Sequence, residues 1–326
     1  MQLRAFGNTG LKASVAGLGC GGFSRLGLGT GGSADNAVAI VRAAIDLGVN
    51  FIDTAAAYGT EAVVGRGIAG FDRSALIIAT KSGIGPGAGF GRGPDIATAA
   101  DVLASLDNSL RTLGTDYVDI FQLHAVTPDN YARVRAELVP ALLEERAKGK
   151  FRHLGITETP PFDLQHQMLQ QAVPDGLWQS VMVAYHMLHQ NARSSVFPLT
   201  RQHGVGTLLM FVVRGIFAQP QRLADTLQEL GLPSLDFLLH PNGAATMIDA
   251  AYRFARDAAG ADVVLFGTGD DAHLRSNIAS LLKPALPQTD MDTLHSLFGA
   301  VVGVGLDVPG RPPAVPTSLP SHLPKQ

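Results

Sequence analysis

Charge, cysteine and long apolar runs are all scarce in this sequence, and each shortage excludes a class of protein. Charged residues make up 16% of the 326 residues and the net charge is −3, so no basic surface for nucleic acid is expected. The single cysteine, Cys20, excludes an intramolecular disulfide framework. No apolar run approaches the roughly 18 residues that span a bilayer, and the first residues lack a secretory signal. We therefore expect a cytoplasmic protein without a nucleic-acid or membrane partner.

Short apolar segments are abundant, and they alternate with longer amphipathic stretches. Hydrophobic residues make up 46% of the chain, enough for a large core. Eight segments are typical of buried strands: 15–18, 50–53, 76–80, 117–123, 152–156, 177–183, 206–211 and 262–266. Four stretches between them have helical periodicity: 34–47, 99–113, 134–147 and 244–259. Eight such repeats favour a closed (β/α)8 TIM barrel, with an open doubly wound sheet as the alternative.

The two ends of the chain differ from this repeating pattern. Residues 3–6 and 11–14 flank a glycine turn at 7–10 and predict a β-hairpin, which could plug the barrel floor. Residues 309–326 are rich in proline and predict a loose tail after a single barrel domain at 1–308.

Three loops rich in glycine or apolar residues follow predicted strands, at 19–33, 83–94 and 212–220. A TIM barrel places its active site at this end of the strands. We expect these loops, with residues 125–130, to form the outer wall of a pocket. Their composition argues against strongly anionic substrates.

Four polar residues lie at or just beyond the ends of three successive strands: Asp53, Tyr58, Lys81 and His124. Each alone would more often be a helix cap, a surface residue or a satisfied core group. Strand ends on one barrel face converge, however, so the four side chains can meet in one pocket. Taken together, the four residues fit a catalytic cluster as well as they fit these separate structural roles.

A phenol has an unperturbed pKa of about 10, and a nearby ammonium lowers that pKa by stabilising the phenolate. Lys81 is the candidate ammonium for Tyr58, and Asp53 would keep Lys81 charged and oriented. His124 could position a carbonyl oxygen by hydrogen bonding. A proton donor aimed at a carbonyl, without nucleophile or metal, is typical of hydride transfer.

Several motifs resemble those of the aldo-keto reductase family, over about residues 1–300. They are NFIDTAAAYG at 50–59 with Glu61 and Gly65, LGTDYVD at 113–119 leading into His124, FGNTGLK at 6–12, KGKFRHLGI at 148–156, and FGT at 266–268 with His273, Leu274 and Asn277. The resemblance implies a nicotinamide cofactor across the barrel mouth, with NADP expected and NAD possible. It also implies that Tyr58 protonates the carbonyl oxygen that receives the hydride.

The resemblance also implies a set of cofactor contacts. The predicted contacts are Cys20, Gly21, Asp53, Thr157, Glu158, Met182, Met210, Phe211, Gly267, Thr268, Asp270, His273 and Asn277. We expect a small aldehyde, ketone or sugar carbonyl and its alcohol to be interconverted. The alternative is a cofactor-binding sensor or regulatory subunit that uses the same barrel without catalysis.

Several of these positions depart from the family pattern. Thr157 and Glu158 replace a Ser-Asn pair, Met182 replaces a glutamine and Met210 replaces a stacking tyrosine. A thioether or the Phe211 ring can still pack on a flat heterocycle. The grip on the carboxamide must be rebuilt, and Thr157 and Glu158 are the candidates.

The segment after Thr268 bears on the choice between NADP and NAD. Gly269 replaces a family cation, Asp270 follows it, and His273 stands at the second cation position. Arg214 could face the cofactor pyrophosphate or be a solvated loop residue. His186 and His189 lack metal-spaced partners, so no metal site is expected.

Overall fold

A computed structural model describes residues 1–91 and 95–307. The strands are β1 (Leu3–Ala5), β2 (Lys12–Ser14), β3 (Ala16–Gly19), β4 (Phe51–Asp53), β5 (Ile77–Gly83), β6 (Val118–Val126), β7 (Phe151–Glu158), β8 (Ser180–Ala184), β9 (Gly206–Met210) and β10 (Val263–Phe266). The predicted tail at 309–326, and the end of the predicted loop at 83–94, lie outside the described residues.

The helices fill the intervals between the barrel strands and follow the last one. They are α1 (Ala34–Asp46), α2 (Glu61–Ile68), α3 (Ala99–Leu113), α4 (Pro128–Glu137), α5 (Val139–Ala147), α6 (Gln167–Ala172), α7 (Ala192–Ser195), α8 (Phe197–His203), α9 (Gly215–Ala218), α10 (Pro220–Glu229), α11 (Met247–Arg256), α12 (Asp271–Leu282) and α13 (Gln288–Phe298).

The strands β3 to β10 form one closed barrel in which every described pairing is parallel. The open sheet considered from the sequence is therefore wrong, and the predicted (β/α)8 barrel is confirmed. Each barrel strand buries one face against the ring of helices and the other in the barrel interior. This explains why the strand sequences are nearly continuous apolar runs.

The predicted hairpin is also confirmed, because β1 and β2 pair antiparallel from Leu3 opposite Ser14 to Ala5 opposite Lys12. Phe6, at the turn, is fully buried and packs with Phe51 and Leu208 in the lower barrel interior. The hairpin therefore closes the barrel floor and leaves the opposite end open.

Two predicted helices were wrong in extent. Residues 134–147 form two helices, α4 and α5, which meet at Leu138. Pro140 lacks an amide hydrogen and its ring crowds the carbonyl group four residues earlier, so one helix cannot run through it. The helix predicted at 244–259 begins at Met247, where Thr246 caps it by accepting from the amide of Asp249.

Strand ends differ where they matter for the site. The third and fourth barrel strands continue past their predicted ends to Gly83 and Val126. Lys81 and His124 therefore lie within strands, with side-chain positions set by the sheet. None of the described helices is long and apolar enough to cross a membrane. The cytoplasmic location stays a prediction from the sequence.

Candidate active site

Two adjoining cavities open at the C-terminal end of the barrel strands, with volumes of about 580 and 550 Å³. We call the first the inner cavity and the second the long cleft, which extends to α12. Six residues line both: Gly22, Tyr58, Met182, Met210, Phe211 and Arg214.

The predicted site residues divide between these spaces. His124, Thr157 and Glu158 line the inner cavity only. The long cleft alone is lined by Gly21, Asp53, Gly267, Thr268, His273 and Asn277. The described residues that line the two cavities do not include Cys20, Lys81 or Asp270.

Lys81 lies beneath the cavities with its ammonium fully buried. Its Nζ donates to both carboxylate oxygens of Asp53 at 2.7 Å and to the carbonyl oxygen of Thr54 at 2.8 Å. Gln122 Nε2 donates to Asp53 Oδ1 at 3.3 Å. Asp53 and Lys81 point inward because alternate strand residues face the barrel axis. Lys81 therefore reaches the cavities only through its neighbours.

Tyr58 covers this pair from a short 3-10 turn, Ala56–Tyr58. The Lys81 Nζ lies 5.0 Å from the centroid of the Tyr58 ring. Gly21 passes so close that a Cβ there would lie 2.6 Å from Cε2 of Tyr58. A glycine at position 21 is therefore what allows the first loop to hold the ring in place.

His124 stands beside Tyr58, with the ring planes at 82° and His124 Nε2 3.4 Å from the Tyr58 hydroxyl. Phe90 packs on the other side, with ring centroids 4.6 Å apart. Next to His124, Ala125 has a φ of +60° where the register of β6 on β7 shifts. Such strain at a cavity wall is typical of functional sites.

The pKa values of the cluster follow from burial and from Lys81. Burial acts to lower the pKa of Lys81, but Asp53 and Tyr58 outweigh it and the net shift is upward. Burial, with a smaller contribution from Lys81, holds the pKa of His124 well below its usual range. At neutral pH the lysine is therefore charged and the histidine is neutral.

For Tyr58 the direction differs from the sequence-based expectation. Burial raises the pKa of the phenol above its ordinary value, and the Lys81 ammonium only reduces that rise. The expectation that Lys81 brings the pKa below about 10 omitted the cost of forming a phenolate away from water. Tyr58 therefore keeps its proton at neutral pH.

Glu158 forms a second buried acid–base pair on the far wall of the inner cavity. Its Oε2 lies 2.8 Å from Nδ1 of His166, and its Oε1 accepts from the amide of Ala184 at 2.8 Å. Nε2 of His166 lies 3.0 Å from Oδ1 of Asn191. Burial acts to lower the pKa of His166, but Glu158 outweighs it and the pKa is raised.

Thr157 is similarly occupied, because its hydroxyl oxygen accepts from the amide of Ala125 at 2.8 Å. Thr157 and Glu158 still present surface to the inner cavity. Their predicted contact with a carboxamide stays a prediction, and it would use acceptor positions that these bonds leave open.

At the far end of the long cleft, Gly269 packs directly on Gly27. A Cβ at Gly269 would lie 2.2 Å from Cα of Gly27, so no side chain fits there. Asp270 caps α12 by accepting from the amide of His273 at 2.8 Å. Arg275 is exposed and pairs with Asp271 at 2.8 Å, on the surface of the helix.

The Cys20 side chain lies away from both cavities, and its predicted cofactor contact stays a prediction. The thiol is fully buried in the layer between barrel and helices, and burial raises its pKa. Only its backbone, whose amide donates to the carbonyl oxygen of Asp53 at 2.8 Å, belongs to the site. The thiol is therefore part of the packed core.

Sequence reasoning missed three parts of the site. Gln122 lies two residues before His124 on the same strand, so the alternation of strand side chains could have found it. The loop after β7 lines the inner cavity with Thr159, Pro160 and Pro161, but gave no glycine signal. No sequence pattern pointed to His166 either, because only the folding of the loop after β7 brings it to Glu158.

Within residues 1–91 and 95–307, no cluster of three His, Cys, Asp or Glu could hold a metal.

Comparison with known proteins agrees with the observed barrel. The sequence profile of the Aldo/keto reductase family matches residues 17–298. The protein therefore belongs to this family and is an oxidoreductase.

Individual relatives support the same family. L-galactose dehydrogenase of Arabidopsis thaliana is 35% identical over 214 residues, which are 64% of this chain and 64% of that protein. Aldo-keto reductase YhdN of Bacillus subtilis is 26% identical over 90% of this chain and 93% of its own. The holo form of an aldo-keto reductase from Bacillus halodurans superposes with a TM-score of 0.73 at 25% identity, covering 91% of this chain and 96% of that one.

Proposed function

We propose that the protein interconverts a small aldehyde, ketone or sugar carbonyl and its alcohol, with Tyr58 as the general acid and base. The observation that carries the proposal is the stack of Asp53, Lys81 and Tyr58 beneath the junction of the two cavities. Because Tyr58 is protonated at neutral pH, it suits the reductive direction, in which a proton must be given to the carbonyl oxygen.

The long cleft fits a nicotinamide dinucleotide. It runs from Tyr58 to α12 over a glycine floor, where a Cβ at Gly267 would lie 3.0 Å from the carbonyl oxygen of Gly19. Thr268 and Asn277 would hold the nucleotide end, and Met182, Met210 and Phe211 would pack near the ring. The bound cofactor would supply the hydride. NADP is the expected form, with NAD accepted.

Within this scheme each residue of the chain has a separate task. Lys81, held by Asp53, stabilises the phenolate that Tyr58 forms when it gives up its proton. Neutral His124 lies beside the hydroxyl and offers Nε2 to a carbonyl oxygen at the inner cavity. The holo form of the Bacillus halodurans relative, and the dehydrogenase from Arabidopsis thaliana, support cofactor binding and a sugar among the candidate substrates.

A single-turnover experiment separates this proposal from the alternative of a non-catalytic sensor. The enzyme is loaded with one equivalent of NADPH and mixed with a panel of aldehydes, and cofactor absorbance is followed. Oxidation of the bound cofactor coupled to alcohol formation is expected. Tight binding of NADPH without oxidation by any aldehyde would instead support the sensor, which the altered carboxamide contacts favour.

A further inference from the structure

Arg214 occupies the wall that the inner cavity and the long cleft share. It follows β9, and its guanidinium carbon lies 3.6 Å from the centroid of the Phe211 ring and 5.5 Å from that of Phe23. Stacking between two rings fixes the plane of the guanidinium group, so its donors keep fixed directions at the cavity junction.

The guanidinium group is only partly satisfied by protein. It donates to the backbone carbonyl oxygen of Asp307, while its buried Nε has no hydrogen-bond partner among the described residues. The Asp307 carboxylate accepts instead from Arg222, at 2.9 Å.

No carboxylate in residues 1–91 and 95–307 forms an ion pair with Arg214. The rest of the chain, 92–94 and 308–326, contains no aspartate or glutamate at all. The Asp307 carboxylate lies close enough to offset part of the Arg214 charge, but it is bonded to Arg222 and forms no ion pair with Arg214.

The other charged groups near the inner cavity do not cancel the positive charge of Arg214. Glu158 is paired with His166, and Asp53 is paired with Lys81, so each pair is close to neutral. Arg25, also in the lining, is exposed and adds a second positive charge at the rim. The inner cavity is consequently positive, and a partly desolvated cation there is costly unless an anion completes it.

We propose that Arg214 binds a carboxylate carried by the substrate, which makes the preferred substrates carbonyl compounds with an acidic group. The inference rests on the proposed function and narrows its substrate class. A planar carboxylate matches the fixed donor plane of an arginine. This proposal reverses the expectation from the apolar composition of the loops, which argued against strongly anionic substrates. Arg214 also lines the long cleft, so the cofactor pyrophosphate is the competing source of the anion.

The test compares 4-carboxybenzaldehyde with its neutral methyl ester, methyl 4-formylbenzoate, in the holoenzyme. Wild-type enzyme is expected to prefer the acid in kcat/KM, and Arg214→Gln to lower kcat/KM for the acid about 10- to 100-fold while leaving the ester nearly unchanged. Arg222→Gln is the matched control, because it also removes a bond to Asp307 but from outside the cavity lining. It should keep the wild-type ratio of acid to ester.

Three outcomes would overturn the proposal. Equal losses for acid and ester in Arg214→Gln, with a raised Kd for NADPH, would assign Arg214 to the cofactor. The same loss of discrimination in Arg222→Gln would assign the effect to the Asp307 segment. Wild-type enzyme that prefers the ester would exclude an anion site.

A binding measurement decides the question without turnover. Calorimetric titration of the NADP⁺ complex with benzoate and with benzamide should show tighter binding of benzoate, lost in Arg214→Gln. If neither aldehyde is reduced but benzoate binds in this way, the proposed function fails and the anion site stands. Equal affinities for benzoate and benzamide in the wild type would contradict the anion site, whether or not the aldehydes are reduced.

Discussion

Two buried acid–base pairs flank the inner cavity, and they differ in what they contact. Asp53 and Lys81 lie under Tyr58, whose hydroxyl faces open space. Glu158 and His166 are equally buried, but their remaining bonds go to a backbone amide and to Asn191. Burial and pairing are shared, so neither property by itself explains the role that we propose for the first pair. The difference is that Tyr58, a proton-carrying group, lies between the Asp53–Lys81 pair and the inner cavity, whereas Glu158 lines that cavity directly.

The sharpest test of that difference removes the connecting group. Tyr58→Phe should lower kcat by about 10²–10⁴-fold, because the proton donor is lost while the ring is kept. Cofactor affinity should stay close to wild type, which fluorescence titration with NADPH can check. Near-normal kcat on every accepted substrate would show that Tyr58 is not the donor.

Removal of Lys81 should give the next largest effect and move the pH profile. The phenol pKa is raised by burial and held down in part by Lys81, so Lys81→Met should raise it further. Alcohol oxidation needs the phenolate, so its rate should fall at neutral pH and recover only at more alkaline pH than in wild type. Carbonyl reduction should stay flat through neutral pH, since His124 is already neutral there.

The Lys81 substitution also leaves Asp53 buried without its partner, so thermal unfolding must be measured alongside. Lys148→Met is a suitable control, because Lys148 is largely exposed and its partner Glu145 keeps a second ion pair with Lys150. An unchanged pH profile in a folded Lys81→Met variant would remove Lys81 from proton transfer.

Glu158→Gln should affect the second pair in a different quantity. It weakens the bond to His166, so we expect a loss of about 1–3 kcal/mol in the free energy of unfolding, by thermal or urea denaturation. The KM for the cofactor should rise if Glu158 contacts the carboxamide. The shape of the pH profile should stay as in wild type. A shifted pH profile would mean that the Glu158–His166 pair also takes part in proton transfer.

The smallest expected effect concerns the cofactor. With Gly269 closed to any side chain and Asp270 capping α12, we expect only a weak preference for NADP(H) over NAD(H). His273 is the cation candidate at this end of the cleft, and its Nδ1 lies 3.9 Å from Oδ1 of Asp270, a carboxylate that would repel a phosphate. The ratio of kcat/KM values for the two cofactors, at two pH values, measures this. A preference of about a thousandfold that pH does not change would require another phosphate-binding cation.

Much of the molecule follows from the sequence alone. The alternation of apolar runs and amphipathic stretches determined the barrel, because each strand must bury both faces and each helix one. The hairpin and the grouping of Asp53, Tyr58, Lys81 and His124 followed from strand order, since parallel strand ends meet at one edge. These features depend on local periodicity, which a sequence displays directly.

Other features were decided only by tertiary structure. Burial, and not Lys81, sets the direction of the Tyr58 pKa, and burial is a property of the assembled barrel. The loop after β7 turns His166 back onto Glu158, and the segment at Asp307 reaches Arg214 through its backbone and Arg222 through its carboxylate. Desolvation and charge pairing act through space over a few ångströms, so the charge of the cavity could not be read along the chain.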